Sequence, residues 1–296
     1  MPRWMFWMAL TLASWGVWAV LPEFLAESVD PAHSQALSTL GLAPILFALW
    51  RMPEESAGRD RRLGIMLAIA AGIASSLGNI AYFRALEFAK AATVAPLTAM
   101  SPAVTIILAA MLLKERVTLL QWIGMGCSFV AILLFNAADE AQLSSDGIVY
   151  ALIPLVLWGV TLLLQKMSTD RISARTSALW FLATFVPLAV IILAWNPLTG
   201  SLSARTWAVE AAIGFTLGFG NLTIMWALAS GGKASVVAPL SGLYPLVSIP
   251  IAIVFLHQRL EPREWAGIAM ALCAVWLLST QADSPAIGAI AAPADD

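Results

Sequence analysis

The stretch Lys90–Gly124, KAATVAPLTAMSPAVTIILAAMLLKERVTLLQWIG, returns 143 residues later as Lys233–Gly267, KASVVAPLSGLYPLVSIPIAIVFLHQRLEPREWAG. Fourteen of the 35 positions are identical without a gap, where shared apolar composition gives roughly one match in ten. Lys90/Lys233, Pro96/Pro239, Pro102/Pro245, Arg116/Arg259, Trp122/Trp265 and Gly124/Gly267 are among the pairs. The same shift carries Trp15-Gly16-Val17 onto Trp158-Gly159-Val160, and with a one-residue slip Gly78-Asn79 falls on Gly220-Asn221. A duplicated chain must fold as two copies of one plan, which we place at residues 1–140 and 141–281.

The copies are too apolar for water. Of 296 residues 60% are hydrophobic and 11% charged, against about 25% charged in a soluble domain. The apolar residues fall in blocks near the length of about 20 residues that a helix needs to cross a bilayer. Ten spans fit: Trp4–Leu25, Ser34–Trp50, Leu63–Leu86, Ala91–Leu113, Leu119–Phe135, Gly147–Lys166, Thr176–Trp195, Thr206–Ala229, Ala234–Leu256 and Glu264–Thr280. Each is expected to be helical, because a lone strand in lipid leaves backbone donors unpaired. The first block has no small-residue cleavage site after it and is read as a span rather than a signal peptide. Residues 282–296, rich in Ala, Pro and Asp, are expected to form a disordered cytoplasmic tail.

Basic residues orient the spans. With the amino terminus in the cytoplasm, eleven Lys and Arg lie inside and five outside. The positive-inside rule then puts both termini in the cytoplasm of a multi-pass protein of the cell membrane. Five spans per half turn the second copy upside down relative to the first. The expected fold class is therefore an all-α membrane protein with ten transmembrane helices in two inverted five-helix repeats. Secondary transporters are often built this way, with a site at the repeat interface near the midplane.

Enzymatic motifs are absent from the sequence. There is no HExxH, CxxC, Walker loop or Ser/His/Asp set, and GFTLGFGN follows no strand. Cys127 and Cys273 sit in apolar blocks and read as small buried hydrophobes; His33 and His257 have no second ligand at metal spacing. We expect no enzyme activity, no metal and no cofactor.

Four features in each half resemble the EamA branch of the drug/metabolite transporter superfamily. They are the WG of the first helix, a helix ending in Ala-Leu (Arg84-Ala85-Leu86, Trp226-Ala227-Leu228), the run APLTAMSP with its copy APLSGLYP, and the hairpin KERVTLLQWIG with its copy HQRLEPREWAG. The resemblance covers about Trp4 to Thr280. It implies a ten-helix bundle that moves small metabolites and catalyses no reaction. Two positions depart from the family pattern. A lysine that often follows WG is kept as Lys166 but is Glu23 in the first half, and the hairpin glutamate, Glu115, is Gln258 in the second.

Polar and aromatic groups inside spans need a reason. Asn79 and Asn221 either glue helices or face the substrate cavity, as do the serines Ser75 and Ser76 one turn before Asn79. Trp15, Tyr82, Trp158, Trp226 and Tyr244 either fill the core and interfaces or line that cavity. Glu23 is either an interfacial charge or the coupling carboxylate at the outer mouth. Arg84 and Glu87 read as an interfacial pair, and Lys90 and Lys233 as snorkelling cations. Pro96, Pro102, Pro239 and Pro245, with Pro250, each remove a backbone hydrogen bond, so the fourth and ninth helices are expected to bend beside the cavity. The expected function is secondary transport of small organic metabolites, amino acids or similar, by alternating access. A structural or accessory membrane protein without transport, or a sugar uptake facilitator, is the alternative. The expected partners are a small-molecule substrate and the lipid bilayer, with a homodimer open and no nucleic acid.

Overall fold

The structure is a computed structural model of the whole chain, and it describes residues 3–25, 29–53, 60–112, 118–136, 145–230 and 240–279. The described elements are helical, without a strand among them. In the first half they are α1 (Arg3–Val20), α2 (Pro31–Ser38), α3 (Ala43–Arg51), α4 (Arg61–Leu86), α5 (Ala91–Thr98), α6 (Ser101–Leu112) and α7 (Leu119–Asn136). In the second they are α8 (Ser145–Thr169), α9 (Ala174–Ala183), α10 (Phe185–Trp195), α11 (Ala204–Ala229), α12 (Pro245–Phe255) and α13 (Pro262–Ser279). Short 3-10 turns at Leu21–Phe24 and Thr39–Leu42 extend α1 and join α2 to α3.

The duplication is written into the helix boundaries. A shift of 143 residues takes α4 onto α11 and α7 onto α13, end for end. It also takes the start of α2 onto the start of α9. Pro44 and Pro187 are equivalent, and each stands in the first turn of the helix that follows an interruption. The helix starts obey local rules. Asp30 Oδ1 accepts from the Ala32 N–H at 2.9 Å and caps α2, while Asp60 caps α4 through the Leu63 N–H at 3.1 Å.

Packing exchanges partners between the halves. The closest helix pairs are α4 with α8, α1 with α11, and α7 with α13. The first helix of each half thus lies along the third helix of the other. Polar buttons fasten both pairs: Ser14 Oγ donates to the Thr216 carbonyl at 2.7 Å, and Ser168 Oγ donates to the Gly64 carbonyl at 2.8 Å.

Among the described residues, seven helices are long and apolar enough to cross a membrane: Arg3–Phe24, Pro31–Arg51, Arg61–Leu86, Ala91–Leu108, Val149–Thr169, Ala174–Trp195 and Ala204–Ala227. The expected fifth, ninth and tenth spans are not among them. Within α7 the apolar stretch is Trp122–Ala131, and α12 has 11 residues. The α13 helix opens on Pro262, Arg263 and Glu264, which shortens its apolar part. The second span, Pro31–Arg51, crosses as one unit, with its α-helix interrupted by a 3-10 turn just before Pro44. Lys233, Pro239, the hairpin around Glu115 and the tail 282–296 lie outside the described residues.

Candidate functional site

Tryptophan and glycine build the site together. Trp15 of α1 lays its indole edge against Gly220 of α11, and Trp158 of α8 lays its own against Gly78 of α4. A Cβ at either glycine meets the indole nitrogen, so only glycine lets the ring seat so close to the helix. The glycine after each tryptophan does a different task. Gly16 admits Val247 and Gly159 admits Val104, so the helix carrying the prolines lies directly on the first helix of the other half. The WG and GN pairs that mark the duplication are thus the contact residues of two equivalent joints.

A cavity of about 100 Å³ opens between these joints. A buried water needs roughly 10–15 Å³, so there is room for several waters or a small organic group. Equivalent positions of both halves line it: Trp15 and Trp158, Asn79 and Asn221, Trp18 and Thr161, Ala99 and Gly242, Ser101 and Tyr244. Ser75, Pro102, Leu162, Gln165, Phe181, Leu217 and Ser241 complete the wall. Among the described residues no charged side chain lines it. Three pairs break the symmetry, because Thr161 stands where the other half has Trp18, Gly242 where it has Ala99, and Tyr244 where it has Ser101.

Of the seven residues singled out from sequence for the cavity, five line it: Trp15, Asn79, Trp158, Asn221 and Tyr244. Tyr82 stands behind the wall. It is fully buried, stacked on Trp18 with ring centroids 5.0 Å apart and 5.5 Å from Trp158. Its hydroxyl donates to the Ala19 carbonyl at 2.6 Å, one of the carbonyls left over at the end of α1. Trp226 lies away from the cavity, its ring 4.7 Å from Trp7. Trp18, Thr161 and Gln165 were missed, although each follows a chosen tryptophan at helical spacing. Extending the 3.6-residue period from Trp15 and Trp158 finds all three.

The two amides differ. Asn221 Nδ2 donates to the Leu217 carbonyl one turn back at 2.8 Å. Asn79 is buried, and its Nδ2 has no partner among the described residues. The prolines sit where α5 gives way to α6. Pro96 is inside α5, Ala99 and Met100 interrupt the helix, and Pro102 is the second residue of α6. Tyr244, just before Pro245 at the start of α12, sends its hydroxyl into this break. It donates to the Ala95 carbonyl at 3.0 Å and lies 2.9 Å from Thr98 Oγ1. Pro250 is inside α12.

Glu23 is not part of the cavity wall and is held in a hydrogen-bond network. One of its oxygens accepts from the Ala91 N–H at 2.6 Å at the start of α5, and the other from Gln258 Nε2 at 2.7 Å. Gln258 Oε1 in turn accepts from the Ala92 N–H at 3.3 Å. Lys90 Nζ donates to the Arg259 carbonyl at 2.7 Å and lies 3.6 Å from the Glu264 carboxylate, so it is tied down rather than snorkelling. Thr93 Oγ1 donates to Glu264 at 2.9 Å. These bonds join the end of α1, the start of α5 and the loop before α13. Arg84 and Glu87 pair at the same end of α4. Glu23→Ala leaves the Ala91 N–H and the Gln258 amide without acceptors, and is expected to lower stability by about 1–3 kcal/mol in a detergent melt. An unchanged melting temperature contradicts that role.

Comparison with known proteins agrees with this architecture. The model of the EamA-like transporter family matches residues 2–137 and again 145–280. An uncharacterized transporter of Bacillus subtilis, YvbV, is 24% identical over 96% of this chain and 93% of its own length. The Pseudomonas aeruginosa pseudopaline exporter CntI is 24% identical over 78% of this chain and 84% of its own. A solved crystal structure superposes with a TM-score of 0.65 at 16% identity, covering 94% of this chain and 97% of that one, which is a likeness of fold. Family and relatives point to transport rather than catalysis, and the apolar helices make this a multi-pass membrane protein. With both halves matched, the chain belongs to the EamA-like transporter family.

Proposed function

We propose that this membrane transporter moves a small organic metabolite, amino-acid-like in size and polarity, by alternating access between two inverted halves of five spans each. One observation carries the reading: the cavity wall is made from equivalent positions of both halves, so a movement that exchanges their roles exposes one site to either side. Aromatic rings with a few uncharged polar groups suit a small, partly apolar solute.

In this reading the Glu23–Gln258 and Lys90–Glu264 bonds close the cavity at one end, and Gln165 extends its wall toward the other. With the cell membrane as the site and both termini cytoplasmic, the closed end is the outer one. The bends around Pro96, Pro102, Pro245 and Pro250 are the points about which this end opens. Glu23 then acts on transport as a gate residue, through its bonds to α5 and to Gln258.

A thermal-shift screen of the purified protein against amino acids, sugars and nucleosides selects the ligand, since a molecule that binds the folded state raises the melting point by mass action. Counterflow in proteoliposomes then tests transport of the selected compound. Amino acids are expected to shift the melt and to exchange. A shift by sugars alone replaces the substrate class. A ligand that binds without counterflow removes transport.

A further inference from the structure

Glu210 is a buried acid that the cavity does not use. It lies on α11 at the contact with α2, with none of its surface exposed. Oε2 accepts from the Ser34 hydroxyl at 3.0 Å, and Oε1 has no partner. Gln35, the next residue on α2 and 2% exposed, likewise has its Oε1 without a donor. On two helices that pack together, two buried acceptors lack donors among the described residues, which is unfavourable for both. Glu264, another buried acid, contrasts with this, since Lys90, Thr93 and the Glu261 N–H all answer it.

Neighbouring charges are engaged elsewhere. Asp30 caps α2, and His33 Nε2 is 2.7 Å from the Asn196 carbonyl. Glu23 is held by Ala91 and Gln258, and Arg205 donates to the Phe24 carbonyl. Arg175 of α9 donates to the Leu49 and Trp50 carbonyls, and Arg51 of α3 lies over Phe47 and Trp50. Arg84 of α4, which packs on α2, pairs with Glu87. Arg3 stands at the opposite end of α1, and α10 carries no charge.

The duplication supplies an internal control. The counterpart of the α2–α11 contact is the α9–α4 contact, where Ala178 stands for Gln35 and, with the one-residue slip that pairs Gly72 with Gly214, Ala68 stands for Glu210. Ser177 stands for Ser34 and turns to Ser168 at 2.9 Å. The same joint is thus made in the other half with apolar residues, and packing alone does not call for a carboxyl.

We infer that Glu210 and Gln35 form a proton-binding site. One proton on Glu210 Oε1, donated to Gln35 Oε1, answers both acceptors, while Ser34 donates to Oε2. On release the O–H bond breaks, its electron pair stays on the carboxylate and the proton passes to water. The charge left behind has no counter-ion at the α2–α11 contact among the described residues and weakens it. On the transporter reading above, that weakening links proton release to the relative movement of these helices.

The test uses purified full-length protein. Infrared difference spectra of wild type minus Glu210→Gln at neutral pH are expected to contain the C=O band of a protonated carboxyl, shifted in Ser34→Ala. Carboxylate bands in its place overturn the site. Above about pH 5, unfolded glutamate releases a proton that the folded state keeps, so stability falls as pH rises. The wild-type melting temperature is expected to drop by about 2–4 °C per pH unit more than that of the variant. Equal slopes overturn the site, as does a melting temperature that rises when Na⁺ replaces K⁺ at fixed ionic strength. If Glu210→Gln fails to fold, the double variant Gln35→Ala/Glu210→Ala, which copies the other half, takes its place as the reference. Proton-gradient-driven uptake is expected to be lost in the variant while counterflow persists. Loss of counterflow in the wild type counts against the transporter reading alone, and the spectra still decide the proton site.

Discussion

Gly214→Ala is expected to lower the melting temperature by about 10 °C. The added Cβ meets the carbonyl oxygen of Ser38, which is backbone at the end of α2 and has no rotamer to yield. Glu210 lies one turn before Gly214 on α11 and faces Ser34, one turn before Ser38, so the two helices would be pushed apart along their whole contact. Overpacking typically costs about 1–3 kcal/mol, and against backbone we expect the upper end. For a chain of this size each kcal/mol moves the melt by roughly 2–4 °C. Gly126→Ala is the control. Gly126 is exposed on α7 with nothing within 4 Å of its Cβ position, and alanine favours a helix interior over glycine by about 1 kcal/mol. A melt in which the two variants behave alike sinks the close-approach argument.

Asn79→Leu is expected to reduce kcat/KM for the transported solute about tenfold or more while the melting temperature moves by no more than about 2 °C. The separation follows from the bonding. Asn79 Nδ2 has no partner among the described residues, so the change breaks no internal bond from that donor, and leucine is close in volume. A hydrogen bond from that amide to a solute in a dry cavity has a net worth near 1.5–3 kcal/mol when the solute group is charged, or roughly tenfold to a hundredfold. Asn221→Leu gives the contrast, because its Nδ2 bonds the Leu217 carbonyl. It is expected to lose both stability and transport. Initial rates of counterflow and a detergent melt on the same preparations decide the matter. Transport at the wild-type rate in Asn79→Leu removes this amide from the solute path.

Several joints of the molecule are legible in the sequence alone. The WG and GN pairs stand out because they occur twice, and they are where Trp15 and Trp158 seat on Gly220 and Gly78. The prolines are equally plain, and Pro96 and Pro102 flank the break between α5 and α6. Other readings fail for a reason that can be named. Trp226 has the same chemistry as Trp158, but its place on α11 turns it toward Trp7. Tyr82 is on the right helix, and two indoles separate it from the cavity wall. Periodicity says which residues share a helix face and leaves open what that face meets.

Glu210 shows the other side of this limit. In the sequence it is one acid within an apolar block, no more prominent than Glu23, which stands out for its departure from the family pattern. Folding reverses their standing. Glu23 is answered by two donors, and one oxygen of Glu210 is answered by none.

By itself the order of residues determined the copy number, the helical class, the membrane as solvent and the identity of the glycine–tryptophan joints. All of these follow from local periodicity and from self-comparison, which need no partner to be known. Tertiary structure alone decided which half each joint reaches into, which polar groups find donors and where space is left between the helices. Those depend on the approach of helices far apart along the chain, which a linear pattern does not encode.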